Sequence, residues 1–151
     1  MKRKPLIVLA ILCIGFTTAV KAQDYRFALG VRLSNSSPTL NNSISAKYFV
    51  TDRSAVEGLV SFGSRFGVGA LLEIHKPLQG AGFSWFYGGG VYFGWQDNNT
   101  YFGPTGILGL DYKFPNLPLN LSVDWKPELD ILPKVGFIPD AFAISARFAF
   151  K

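Results

Sequence analysis

The sequence is poor in cysteine and histidine and has no long apolar run beyond its N-terminus. Cys13 is its only cysteine and His75 its only histidine. A lone cysteine cannot form an intrachain disulfide, which excludes a small secreted domain held together by disulfide bonds. With no pair of cysteine or histidine residues, the chain also lacks the ligands of a zinc site. After residue 22 no apolar stretch approaches the roughly 20 residues of a transmembrane helix.

The N-terminus has the pattern of a cleavable signal peptide. Basic residues at positions 2–4 precede an apolar run over residues 6–16, and small or polar residues then lead to Val20-Lys21-Ala22. This order is typical of a secretory signal, and the apolar run is short for a membrane span. We expect residues 1–22 to be removed, with residues 23–151 as the mature domain. A retained N-terminal anchor is the alternative.

Removing such a signal changes the charge of the protein. The whole chain carries 15 basic and 10 acidic side chains, a formal net charge of +5. Four basic residues and no acidic ones lie in the signal, so the mature domain has 11 basic and 10 acidic residues. The basic character belongs mostly to the signal, and nucleic acid is therefore not an expected partner. No motif in the sequence indicates a cofactor.

The mature region alternates between two kinds of side chain with a period of two, which predicts β-strands. In the first strand Leu29, Val31 and Leu33 alternate with Gly30 and Arg32. Seven further segments behave in the same way, and turns rich in glycine, proline or polar residues separate them. The eight predicted strands begin near Tyr25, Ser43, Val56, Phe66, Phe83, Phe102, Leu119 and Phe142.

The charged residues of these strands share the less apolar face. The other face is uncharged, rich in aromatic residues and continuous over eight strands, which makes it too large for the core of a domain of this size. A lipid-facing exterior explains it, because lipid offers the backbone no hydrogen-bond partner, so the sheet must close with its charges inside. We predict an all-β protein, an eight-stranded antiparallel up-and-down transmembrane β-barrel.

Five basic and four acidic residues would point into the lumen of this barrel. An eight-stranded barrel is about wide enough for side chains to fill, and buried charges are costly unless they are paired. We therefore expect interleaved ion pairs that plug the lumen, with a narrow gated channel as the alternative. The predicted lumen network consists of Arg26, Arg32, Lys47, Glu57, Glu73, Asp111, Asp124, Lys126 and Arg147.

Aromatic residues gather near the ends of the predicted strands, as in the two girdles of a membrane barrel. A general preference of aromatic residues for strands is the simpler explanation. The predicted girdles include Tyr25, Phe83, Trp85, Tyr112, Phe148 and Phe150 on the side of the termini, and Trp95 and Trp125 on the other side.

An even number of strands returns both termini to one side, the periplasm in this prediction. Residues 34–42, 96–101 and 127–140 then form connections on the outer side, as does the short connection after Phe62. Residues 34–42 and 127–140 are the candidates for contact with a surface ligand or partner, which the sequence does not identify.

An enzyme is not expected. His75 lies two residues from Glu73 on the same strand face, and Ser84 could lie nearby across a turn. A base beside a nucleophile would suit acyl chemistry on lipid, but a single histidine beside a carboxylate is more often an ordinary ion pair. A lipid-modifying outer-membrane enzyme is kept as an alternative.

The signal peptide, the strand count, the alternating faces and the C-terminal Phe148-Ala149-Phe150-Lys151 together resemble a known group. The chain is similar over residues 23–151 to small outer-membrane barrels of the OmpA transmembrane-domain and OmpX type. Residues 112–121 are similar to a hairpin common in such barrels. The resemblance implies a Gram-negative outer membrane, contact with its lipid, and biogenesis by periplasmic chaperones and the barrel-assembly machinery. Members usually end on an aromatic residue, whereas this chain ends on Lys151.

Overall fold

The computed structural model describes residues 25–35, 39–63, 65–79, 82–139 and 141–150. The predicted signal peptide and its cleavage site lie outside these ranges. Within them the regular elements are all β-strands, and no helix is long and apolar enough to cross a membrane. The strands are β1 Phe27–Ser34, β2 Ser43–Phe49, β3 Ser54–Ser61, β4 Phe66–Pro77, β5 Phe83–Gln96, β6 Asn99–Lys113, β7 Leu119–Trp125, β8 Glu128–Asp130, β9 Gly136–Ile138 and β10 Phe142–Phe150.

Eight of these strands form a closed antiparallel barrel. Strands β1 to β7 pair in chain order, and β10 pairs with both β7 and β1, which closes the sheet. Val31 of β1, for example, lies opposite Ala146 on one side and Ile44 on the other. The predicted all-β, eight-stranded antiparallel fold is confirmed. We call the end where β1 begins and β10 finishes the termini end, and the opposite end the loop end.

The segment predicted as the loop 127–140 is instead largely a hairpin. Strand β8 continues the register of β7 against β6, because Leu108 pairs with Trp125 and Thr105 pairs with Glu128. Pro127 lacks an amide hydrogen and interrupts the strand, but its carbonyl still accepts a hydrogen bond from the Thr105 hydroxyl at 2.7 Å. Strand β9 then pairs back along β8. At the loop end, the β8–β9 hairpin therefore extends the barrel wall beyond the end of β7.

The prediction of a polar loop over residues 96–101 is also wrong. Strands β5 and β6 continue to Gln96 and Asn99, and only Asp97 and Asn98 connect them. Both have positive φ, 49° and 64°, as the two central residues of a type I′ hairpin turn require. Asp and Asn tolerate this left-handed conformation better than most residues. The polar residues that follow are thus part of a strand, and β5 and β6 form the longest hairpin of the barrel.

The two faces of the wall are inverted relative to those of a water-soluble protein. Large apolar side chains cover the outside, and Leu33 and Ile144 are 60% and 63% exposed. Arg32, between Leu33 and Val31 on the same strand, is completely buried inside, as is Lys47. The alternation in the sequence therefore places charge in the interior and hydrocarbon on the surface.

Candidate functional site

The lumen holds the polar groups of this protein, and Arg147 of β10 lies at the centre of its charged layer. Its Nη2 lies 2.5 Å from Oε1 of Glu57 on β3. Its Nε donates to the Ser45 hydroxyl on β2 at 2.7 Å, and its Nη1 donates to the Ser122 hydroxyl on β7 at 2.9 Å. A guanidinium has five donors in a rigid plane, so this one side chain connects four strands across the lumen.

A second buried pair lies between β2 and β4. The Lys47 ammonium is 2.8 Å from Oε2 of Glu73, and Nε2 of His75 is 2.9 Å from the same oxygen. The Lys47 Nζ also lies 4.6 Å from the centre of the Phe86 ring. The aromatic face adds a favourable interaction for the desolvated ammonium. All three polar side chains are buried.

The other predicted members of the network pair differently. Arg32 makes two hydrogen bonds to the Asp124 carboxylate, 2.6 Å from Nη2 and 3.2 Å from Nε. Asp111 accepts a hydrogen bond from the Asn120 amide at 2.9 Å. Asp111 is thus satisfied by an amide, whereas the sequence suggested an ion pair.

Two further ion pairs involve residues that were predicted to lie in connections between strands. Lys126, which was predicted, lies 2.8 Å from Glu128, which was not. Arg65 lies 3.2 Å from Asp130, and the Tyr92 hydroxyl donates to Asp130 at 2.7 Å. Glu128 and Asp130 alternate with apolar residues at 129 and 131. This short period-two pattern was the available signal, but Pro127 just before it indicated a turn and not a strand.

Arg26 does not join the buried network as predicted. Its side chain is exposed and lines an open cavity at the termini end. The Arg26 backbone still bonds to Phe150 of β10 and Phe49 of β2, but Arg26 lies at the end of the barrel, where the lumen opens and its side chain stays exposed. Tyr25 is buried instead and packs edge-on against Phe49, with ring centres 5.2 Å apart. Burial raises the pKa of the Tyr25 hydroxyl.

The burial of Tyr25 also removes it from the predicted girdle on the outer surface. The other seven girdle residues belong to strands near their ends, and their side chains are exposed or half-buried. Phe83 and Tyr112 lie 4.5 Å apart between ring centres on neighbouring strands. Trp125 donates its indole hydrogen to the carbonyl of Pro139, which holds the base of the β8–β9 hairpin. The other members are Trp85, Trp95, Phe148 and Phe150.

Part of the predicted outer loop 34–42 lies inside the barrel. Thr39 and Leu40, which we call the inner segment, are completely buried. The Leu40 amide donates to Glu128 at 3.0 Å, and its carbonyl accepts a hydrogen bond from Arg32 Nη1 at 3.0 Å. Arg65 donates to the Thr39 hydroxyl at 2.7 Å. The ion pairs near the loop end thus also hold the backbone of this segment.

Glycines on the wall make room for the inner segment. A Cβ atom added to Gly69 would lie 2.6 Å from Leu40 Cδ1, and one added to Gly94 would lie 2.7 Å from Thr39 Cγ2. Larger side chains at these positions would displace the segment. With glycine at these positions, Leu40 packs in an apolar cluster inside the barrel, which the sequence did not predict. The cluster consists of Leu40, Leu59, Leu71, Phe86, Tyr92 and Ile107.

The His75 side chain is packed between two aromatic rings and bonded to one carboxylate. Its ring lies 4.9 Å from both Phe49 and Phe86, between ring centres, and its Nε2 is bonded to Glu73. Ser84 lines the same end of the barrel, but no hydrogen bond joins it to His75 in the described part of the chain. No group of three or more His, Cys, Asp or Glu residues within that part is arranged to hold a metal ion.

Neither a protein-family model nor a curated protein matches this sequence. Inferences about function therefore rest on the barrel and its lumen. From the termini end inward, the described lumen contains the aromatic rings around His75, the charged layer around Arg147, and the apolar side chains against which Leu40 of the inner segment packs. Charged and apolar side chains thus fill much of the described lumen, as expected for a barrel of eight strands.

Proposed function

We propose that this protein is a small β-barrel of the Gram-negative outer membrane, with a structural or surface-interaction role and a closed lumen. Its export would depend on residues 1–22 as a signal peptide. Its insertion would depend on periplasmic chaperones and the barrel-assembly machinery, as for the OmpA- and OmpX-type barrels that it resembles. The termini end would face the periplasm and the loop end the cell exterior.

The inverted faces carry this proposal. Leu33, Val31 and Ile144 are exposed on the outer wall, while Arg32 and Arg147 are buried behind them. In water, burying apolar surface is favourable by about 25 cal/mol per Å², which favours the opposite arrangement. In a bilayer the exposed hydrocarbon meets lipid, and closure gives each of the eight barrel strands a partner on both sides.

The filled lumen supports a role other than transport or catalysis. Each of Arg32, Lys47 and Arg147 has a carboxylate partner within 3 Å. Buried pairs of this kind are costly to break, which favours a permanently closed lumen. The His75 ring is held between aromatic residues and bonded to Glu73, so it is poorly placed to activate a nucleophile.

A surface-interaction role is supported by the β8–β9 hairpin at the loop end. Its turn carries Leu132 and Val135 on the outside, β9 adds Phe137, and Val135 is 81% exposed. Apolar side chains at the tip of a protruding hairpin are unusual on a surface that meets only water. This hairpin is where we expect contact with another molecule of the cell surface.

Cell fractionation tests the proposal. The full-length chain, expressed in a Gram-negative host, should appear in the outer-membrane fraction and begin at Gln23. Unheated samples should migrate differently from boiled samples in gel electrophoresis, because folded barrels resist detergent. A matched chain lacking residues 2–22 should stay in the cytoplasm. A soluble periplasmic product from the full-length chain would contradict the membrane assignment.

A further inference from the structure

The termini end of the barrel opens into a cavity of about 1040 Å³ that the lumen network does not use. The turn at residues 50–53 and the ends of β4, β5 and β6 surround it, and Tyr25, Phe49 and His75 line its inner side. Small-molecule sites typically have volumes of roughly 300–1,000 Å³. The cavity is therefore large enough for a small ligand or the head group of a larger one.

Basic side chains dominate the charge of this cavity. Arg26, Arg53 and Lys113 line it, against the single carboxylate of Asp52. Both arginines are exposed, and neither guanidinium has a hydrogen bond or ion pair to any residue in the described ranges. The Lys113 ammonium is held by carbonyl oxygens at the turn after β6, at 2.7 and 2.8 Å. It contributes a fixed positive charge, while the two arginines keep their donors available.

The floor of the cavity separates these cations from the acidic residues of the lumen. Tyr25, Phe49, His75 and Phe86 form a continuous aromatic layer, with successive ring centres 5.2, 4.9 and 4.9 Å apart. Of the carboxylates beneath it, Glu57 and Glu73 are paired with Arg147 and Lys47, whereas Asp111 is held by the Asn120 amide and has no cation partner in the described residues. Glu57 and Glu73 therefore do little to cancel the positive charge at the rim, and Asp111 offsets only part of it.

Two polar atoms of the floor have no partner within the protein. The Tyr25 hydroxyl and Nδ1 of His75 are buried and make no hydrogen bond in the described structure. Buried polar groups are nearly always satisfied. Both residues line the cavity, but these two atoms are themselves shielded from it, so binding in the cavity rests on the exposed arginines and not on the floor.

We propose that this cavity, the basic vestibule, binds an anion that offers oxygen acceptors, a phosphate or carboxylate group. Arg26 and Arg53 are its direct ligands, and Lys113 adds positive charge. The planar guanidinium donates two parallel hydrogen bonds to such an oxyanion, which a lysine cannot do. Because the arginines are exposed, binding weakens as ionic strength rises.

Titration with inorganic phosphate tests the basic vestibule directly. Isotope-labelled protein, purified after expression of the full chain, is placed in a maltoside detergent, whose head group is uncharged. Phosphate is then added at constant ionic strength and the amide NMR shifts are followed. We expect saturable shifts confined to residues 25–26, 49–53, 75–77, 82–84 and 113.

Two variants and a control identify the ligands. Arg26→Gln and Arg53→Gln should each weaken phosphate binding by about tenfold, because each removes hydrogen bonds to a charged group. Lys134→Gln removes an exposed positive charge at the loop end and should leave the affinity unchanged. All three substitutions are at exposed side chains, and the heat-dependent gel shift checks that each variant is folded.

The phosphate group could come from a free anion or from a lipid head group. Phosphatidylglycerol in the same detergent provides the second arm of the test. Shifts of the same amides with phosphatidylglycerol, but not with inorganic phosphate, would assign the vestibule to lipid, whereas shifts with inorganic phosphate would assign it to a free anion. The proposal is overturned if neither probe gives saturable shifts, or if the arginine variants bind as tightly as Lys134→Gln. These readouts do not depend on which membrane holds the barrel.

Discussion

Arg32 and Asp124 face each other across the β1–β10–β7 part of the barrel, 92 residues apart in sequence, with two hydrogen bonds of 2.6 and 3.2 Å between them. The same guanidinium donates to the carbonyl of Leu40. One residue therefore neutralises a buried acid and also holds the inner segment in place. The ion pair and the position of the inner segment therefore depend on the same side chain.

Breaking this pair should destabilise the barrel. Asp124→Ala leaves the Arg32 guanidinium buried without its carboxylate, which typically costs ~3–5 kcal/mol. Urea unfolding in lipid vesicles, followed by tryptophan fluorescence, measures the loss. The double variant Arg32→Met/Asp124→Leu removes both charges and should cost less than the single one. A loss below about 1 kcal/mol for Asp124→Ala would show that Arg32 is not dehydrated as the structure indicates.

A charge introduced on the outer wall should destabilise the barrel only where the wall meets lipid. Val123→Arg places a cation on the outer face of β7, which should cost ~2–4 kcal/mol if this face lies near the bilayer midplane. Val135→Arg makes the same change at the tip of the β8–β9 hairpin and should be nearly neutral. Unfolding free energies of the two variants in vesicles give the comparison. Equal costs would argue that the outer wall does not face hydrocarbon.

The inner segment should keep the wild-type protein closed to ions. Glu128 pairs with Lys126 and accepts the Leu40 amide hydrogen. Glu128→Ala leaves both groups without this partner, so the segment should leave the lumen for part of the time. Planar-bilayer recordings should show transient openings for Glu128→Ala, and little steady conductance for the wild type and Lys134→Ala. Large, stable, ion-selective channels from the wild type would reject the closed lumen.

His75 should have no role in catalysis. Because its ring is fixed between Phe49 and Phe86 and bonded to Glu73, we expect no phospholipid or lipid A hydrolysis above background. An acyl-release assay on the wild type, His75→Gln and Ser84→Ala measures this. Hydrolysis by the wild type that both substitutions abolish would establish the enzyme alternative instead.

The sequence by itself determined the barrel and most of its lumen. A period of two is enough to assign each side chain of a strand to one face, since successive side chains point in opposite directions. Eight such segments, with charge on one face only, predict both the strand number and the inward direction of Arg32 and Arg147. These inferences need only local information.

Tertiary structure decided what alternation cannot describe. Pro127 and the polar residues after Asn98 suggested loops, but pairing with β6 and β5 extends strands through both regions, because register is set by the neighbouring strand. Tyr25 is buried and Arg26 is exposed beside the cavity, because both lie at the end of the barrel, where the face of a strand no longer decides burial. The inward fold of Thr39 and Leu40 depends on Glu128, Arg32 and Arg65 from distant positions and on space at Gly69. Since these contacts join residues up to 89 positions apart, no local pattern could have revealed how this segment is held inside the barrel.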